Sequence, residues 1–280
     1  MKLILSRKGF DSKFGGCASP IFEDGTFISL PIPEKSGRVS FSGIGGSGRI
    51  GALVEDLTHR RKQPLKAIDR VHLDPDLRFD SLTRKVGWRP LFGQAASAQS
   101  HLDNHGVEPG DLFLFFGWFR RVEEWNGRFR FKPDTPNIHM LFGWLEVGAI
   151  WQLWKDACRI PAWASEHPHI GADYVRNTIY VAAGTDTTYN AGAFHRYSDQ
   201  LVLTRSGQSR SRWRLPKCFY PGEGKSVLSY HGDPGRWTAG EDYVDLQSVA
   251  LGQEFVLDSD EYPEAIQWAK GLIAKNAPNI

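Results

Sequence analysis

Three aromatic-rich segments in the middle of the chain limit what it can fold into. Asp111-Leu112-Phe113-Leu114-Phe115-Phe116-Gly117-Trp118-Phe119, then residues 127–131, then Ile138-His139-Met140-Leu141-Phe142-Gly143-Trp144-Leu145 follow one another with only turn-forming residues between. Each run is short, bounded by glycine or proline, and built from side chains that suit a pleated surface. Together they predict three strands joined by turns in a tight sheet or partial barrel. Around them, residues 3–5 read as a short buried strand, and 26–30 as a second strand ended by Pro31 and Pro33. Residues 49–58 have helical apolar spacing at Ile50, Leu53, Val54 and Leu57. Residues 67–73 read as a strand, 92–105 as a helix closed by Gly106, and 178–182 and 200–204 as strands. Residues 262–275 read as a terminal helix with Pro263 in its first turn. The expected fold class is α+β: a mixed, largely antiparallel aromatic-rich sheet or partial barrel with flanking helices, in one domain over residues 1–280.

Several function classes are excluded at this level. No stretch approaches the ~18 uncharged apolar residues that cross a bilayer, so no membrane partner is expected. The opening Met1-Lys2-Leu3-Ile4-Leu5-Ser6-Arg7 is too short and too quickly charged for a secretion signal. Cys17, Cys158 and Cys218 are widely spaced and odd in number, which suits a reducing cytoplasm. The net charge of +2 supplies no bulk attraction for a polyanion, so any nucleic-acid contact rests on local clusters. Ten tryptophans exceed what a core of this size requires and suit stacking on bases, with packing of sheet against helix as the alternative.

Four clusters carry chemistry. The first is Ser6-Arg7-Lys8-Gly9-Phe10-Asp11-Ser12, followed by Gly15-Gly16, where a strand delivers two cations, a carboxylate and flexible backbone onto one loop. The second is Val71-His72-Leu73-Asp74-Pro75-Asp76-Leu77. Pro75 keeps Asp74 extended, so the two-residue period puts His72 and Asp74 on one side of the strand. That pair could orient a general acid or base, or ligate a metal, and His167-Pro168-His169 could add nitrogens. The spacing fits no zinc signature, however, and neither metal nor cofactor is assigned. The third is Arg205-Ser206-Gly207-Gln208-Ser209-Arg210-Ser211-Arg212-Trp213-Arg214-Leu215-Pro216-Lys217, whose interleaved cations, hydroxyls and tryptophan suit phosphates and a stacked base. The fourth is Gln253-Glu254 at the head of an apolar strand, where an amide could read a base edge. A literal GxGxxG at residues 43–48 lacks the repeating βαβ units of a dinucleotide fold. The Gly222-Glu223-Gly224-Lys225-Ser226 stretch has Phe219 where a phosphate loop needs its first glycine.

Taken in order, LILSRKGFDSKFGGCASPIF with SLPIP, HLDPDL, FFGWF, FGWLEVG, HPH, NTIY, RSRWRLP and GQEFVLD resemble the third family of nucleotide-modification-associated domains, over nearly the whole chain. Such domains occur in phages and bacteria, and the resemblance implies DNA carrying modified bases as the setting and partner. Its shared positions fall here on Arg7, Lys8, Asp11, His72, Asp74, Asp76, Arg210, Trp213, Gln253 and Glu254. The resulting expectation is an enzyme that cleaves the N-glycosidic bond of a flipped base. Asp11, His72, Asp74 and Glu254 are its candidate catalytic groups; Arg7, Lys8, Gln253, Arg210, Arg212, Trp213 and Lys217 are its DNA contacts. A transferase that installs a modification and a non-catalytic reader of modified DNA are the alternatives.

Overall fold

Two long antiparallel strands, Leu112–Trp125 and Ile138–Gln152, form the spine of the computed structural model; they are the first and third aromatic segments, extended toward their C-termini. The structure describes residues 1–155, 160–184, 190–222, 224–258 and 260–278, so Cys158 and Glu223 lie outside it. Residues 112–116 are buried without alternation, as in a strand covered on both faces. Phe113 and Phe115 share a face with Phe92 and Tyr180. Past a bulge, Phe116 packs against Trp213 and Phe255.

The N-terminal strand Lys2–Arg7 runs parallel to Leu112–Trp125 and antiparallel to Glu254–Asp258, which makes the sheet mixed. From one end its order is Glu254–Asp258, Lys2–Arg7, Leu112–Trp125, Ile138–Gln152, Thr178–Ala182 and Leu91–Gln94, with three short strands attached to the long pair. The sheet curls without closing. A side-chain hydrogen bond spans the gap, Gln94 Nε2 donating to Glu254 Oε1 at 2.5 Å. Two three-stranded sheets flank it, one with Ile32–Pro33 and Val39–Ser40 on either side of Arg70–His72, the other with Arg212–Pro216 and Trp237–Ala239 on either side of Tyr243–Gln247. The architecture is α+β.

Helix Arg49–Thr58 matches its predicted bounds and buries Leu53, Val54 and Leu57. Helix Pro263–Asn276 buries Ala265, Ala269 and Leu272. Three expectations change. Residues 92–105 are not one helix: Leu91–Gln94 is a strand, buried at every position and paired with Thr178–Ala182, and the helix is Ala96–Asn104. Residues 26–30 make only isolated bridges, Ile21 to Phe27 and Thr26 to Arg196. Residues 200–204 pass through a single 3-10 turn, Asp199–Leu201, before bridging Met140 through Val202. Among the described residues no helix is long and apolar enough to cross a membrane.

Candidate functional site

The register of the N-terminal strand decides which loops meet. Ser6 pairs with Glu254 on one side and Phe115 on the other, so the chain leaves the sheet at Arg7 beside the start of the last strand. Gly117 lets it pass closely, since a Cβ there would lie 2.9 Å from the Lys8 carbonyl oxygen. The small sheet brings in the other side. Pro33 pairs with Val71 and Ile32 with His72, which sets Glu34 beside the His72 ring.

These segments surround a cleft of about 440 Å3, in the range of a small-molecule site, lined by Arg7, Lys8, Asp11, His72, Asp74 and Gln253 from the sequence candidates. The lining adds Lys13, Phe14, Glu34, Gln94, His169 and Tyr174, which sequence patterns did not single out as a group. Only the HPH stretch signalled His169.

Asp74 brings an almost fully enclosed carboxylate to the cleft, its side chain 4% exposed. Its Oδ1 accepts the Gly93 backbone N–H at 2.7 Å and the His167 Nε2–H at 3.1 Å. The His167 ring takes that tautomer because its Nδ1 faces the His169 backbone N–H at 3.4 Å. Asp74 Oδ2 faces two further imidazoles without touching either, His72 Nε2 at 3.7 Å and His169 Nε2 at 4.0 Å. Both rings are held from behind. His72 Nδ1 lies 2.8 Å from Glu34 Oε2, and Glu34 Oε1 accepts the Tyr174 hydroxyl at 2.7 Å. His169 Nδ1 lies 2.6 Å from Asn177 Oδ1, while the Asn177 amide donates to the carbonyls of His169 and Ala172.

Electrostatics follow from this packing. Burial alone would raise the Asp74 carboxyl, but His167 and His72 overcome it and hold the group well below its usual range. Burial opposes charge on His72, yet the neighbouring carboxylates of Asp74 and Glu34 prevail and raise it to about 9. Burial prevails at His169, lowered to about 4.

The other candidates have defined positions. Asp11 Oδ1 accepts the backbone N–H groups of Lys13 and Phe14 at 2.7 and 2.6 Å, closing its own turn. Arg7 donates to the carbonyls of Ala250 and Val249, and Lys8 Nζ lies 2.8 Å from Glu254 Oε1. Glu254 lies beneath the cleft, fully buried, and its Oε2 has no hydrogen-bond partner among the described residues. Arg210 reaches the N-terminal loop through Ser12 at 2.9 Å and sits over the Trp118 ring. Asp76 is structural, in a two-pronged buried ion pair with Arg84.

Trp213 corrects the sequence reading. It is fully buried, its Nε1–H donating to His139 Nδ1 at 3.0 Å, so it is sealed in the core and has no face for a base. The segment around it is the strand Arg212–Pro216, whose alternate residues Trp213 and Leu215 point inward. Arg212 and Lys217 are not part of the cleft lining. Tryptophan number likewise reflects packing more than stacking: Trp88, Trp144, Trp213 and Trp237 are buried, whereas Trp125 and Trp154 are exposed.

Comparison with known proteins adds one finding. The family model for nucleotide modification associated domain 3 matches residues 2–258. No curated protein matches, and no solved structure matches.

Proposed function

This chain belongs to the nucleotide modification associated domain 3 family, and on that premise we propose that it is an enzyme acting on bases in DNA, hydrolysing the N-glycosidic bond of a base turned out of the duplex into the cleft. One observation carries this reading: a buried, ionised carboxylate, Asp74, faces a cleft large enough for a nucleoside whose lining offers an exposed aromatic ring, Phe14, and an exposed amide, Gln253. An aromatic face stacks on a base, an amide reads its edge, and a carboxylate activates water for attack at the sugar carbon.

In this mechanism the Asp74 group and its histidines ready the water, and Asp11 stabilises the positive charge that grows on the sugar as the bond to the base breaks. The water oxygen bonds to the anomeric carbon, the electron pair of the broken bond leaves with the base, and the proton of water passes to the site and then to the departing base. Arg210 and Lys13 hold phosphates at the rim. Arg7 and Lys8 shape the cleft from within, because their charged ends already have protein partners.

The test is incubation of the full chain with DNA carrying diverse base modifications, followed by mass analysis of released bases and of the remaining nucleosides. Free base supports cleavage. An added mass on the nucleosides replaces it with transfer, and unchanged DNA that remains bound replaces it with reading.

A further inference from the structure

We propose that His72 Nε2, Asp74 Oδ2 and His169 Nε2 bind a divalent first-row transition-metal ion at the inner wall of the cleft. The three donor atoms lie within 4.8 Å of one another and come from segments about a hundred residues apart. For its chemical use this inference rests on the cleft being the reaction site; for its existence it rests on geometry alone.

The arrangement differs from a hydrogen-bonded cluster in a specific way. Asp74 Oδ1 has its partners, Gly93 N–H and His167, at bonding distance. Oδ2 does not: the imidazole nitrogens aimed at it stop at 3.7 and 4.0 Å, too far for a hydrogen bond and close to the separation of two ligands on one ion. Donors about 2.1 Å from a shared ion sit roughly 3.0–3.4 Å apart, so occupancy needs a contraction of about 1 Å or less at the two carboxylate–imidazole pairs and of up to about 1.8 Å between the two imidazoles.

Each histidine is also prepared from behind. Glu34 behind His72 and Asn177 behind His169 accept a hydrogen from Nδ1, which orients each ring with its Nε2 toward the site. The Asn177 assignment is fixed, because its amide hydrogens are engaged by two carbonyls and only its oxygen can face His169. A carboxylate or amide oxygen behind each ligating imidazole is the outer arrangement metal sites use to set tautomer and angle. Gly93 completes the site, since a Cβ there would lie 2.3 Å from His169 Cδ2.

The donor set selects the metal class. Two imidazoles and one carboxylate suit iron, zinc or cobalt, whereas magnesium and calcium prefer oxygen ligands. Three protein ligands leave further positions for water or substrate, as reactive sites do.

The experiment is titration of chelator-stripped full chain with Co(II) and Zn(II) at about pH 7.5, in buffers of different ionisation heat so that protons released on binding are counted. Calorimetry and the visible spectrum of Co(II) report binding, and excess Mg(II) serves as competitor. The expected result is about one equivalent bound, undisturbed by Mg(II), with affinity falling at least ~100-fold in His72→Ala and His169→Ala and unchanged in His59→Ala, a surface histidine on the first helix end. Should either ligand variant fail to fold, proton NMR of the Co(II)-loaded wild type decides instead: two exchangeable, strongly shifted signals are expected from the Nδ1–H groups of His72 and His169. Absence of stoichiometric binding, or equal binding by folded ligand variants, overturns the site, as do fewer than two such signals. Metal binding without any change in DNA keeps the site and removes only the glycosidic reading.

Discussion

The imidazole of His169 occupies the space that any side chain on residue 93 would need: a Cβ added to Gly93 would lie 2.3 to 2.6 Å from three atoms of the ring. The same glycine donates its N–H to Asp74. One residue without a side chain thus sets the distance between the two sides of the cluster. Gly93→Ala is expected to push His169 out of line, lowering stability by about 1–3 kcal/mol and Co(II) affinity by at least ~10-fold. A melting curve together with a Co(II) titration checks both. An alanine variant with wild-type affinity would mean that the ring is free to move and the fit is incidental.

Asp11 and Asp74 share the cleft but differ in what else they do. Asp11→Asn keeps the acceptor that closes the turn at Lys13 and Phe14, so its melting temperature should stay within about 2 °C of wild type while turnover on a confirmed DNA substrate falls at least ~100-fold. Asp11→Ala loses the turn as well and should be less stable by about 0.5–2 kcal/mol. If Asp11→Asn retains full turnover, Asp11 is architectural and the charge on the sugar is met elsewhere.

Arg210 carries the phosphate prediction. It lies on the N-terminal loop through Ser12 and keeps its plane over Trp118, near the cleft yet outside its floor. Arg210→Ala should weaken binding to all DNA sequences alike and reduce the slope of log affinity against log salt by about 1; adding Arg212→Ala should reduce it further. A binding series across ionic strength measures this, and an unchanged slope returns the basic strand to solvated surface.

Acid stability can be predicted from a group remote from the metal cluster. His231 is fully buried, its Nδ1–H donated to the Ser229 carbonyl at 2.8 Å, and burial lowers it to about 4. The folded chain therefore leaves it neutral where the unfolded chain takes up a proton near 6.5, so its contribution is complete above that pH and lost as pH falls toward 4. The loss should reach about 1.4 kcal/mol per pH unit within that window. Denaturant unfolding of wild type and His231→Phe between those limits should show the flatter profile in the variant; parallel profiles would assign the acid sensitivity to other groups.

Much of the frame was legible because the signals were local. The continuous apolar and aromatic run of residues 112–119 and the apolar spacing of Arg49–Thr58 state their own structure. Leu91–Gln94 misled because a four-residue segment ahead of a helical stretch has no period of its own, and its identity as a strand comes from pairing with Thr178–Ala182 some ninety residues away. Trp213 misled because cations around an aromatic suggest a surface. The alternation of Trp213 and Leu215 with Arg212 and Arg214 was the available sign of a half-buried strand. In the site, His72 and Asp74 were visible as a pair from the strand period. Glu34, Gly93 and Asn177 were not, since each acts only through a partner far along the chain.

The bond from Gly93 N–H to Asp74 has a further consequence at the margin of the sheet. Leu91–Gln94 is the last strand of the sheet path, and its outer side is met by Asp76, which exchanges backbone hydrogen bonds with Leu91, and then by the Asp74 carboxylate. The carboxylate that faces the cleft therefore also denies an exposed strand edge to neighbouring molecules, the role that charged groups commonly serve at sheet margins. Loss of the Asp74 carboxylate would free an edge as well as empty a site. An acceptor at this position therefore guards against edge-to-edge association whatever the cleft holds.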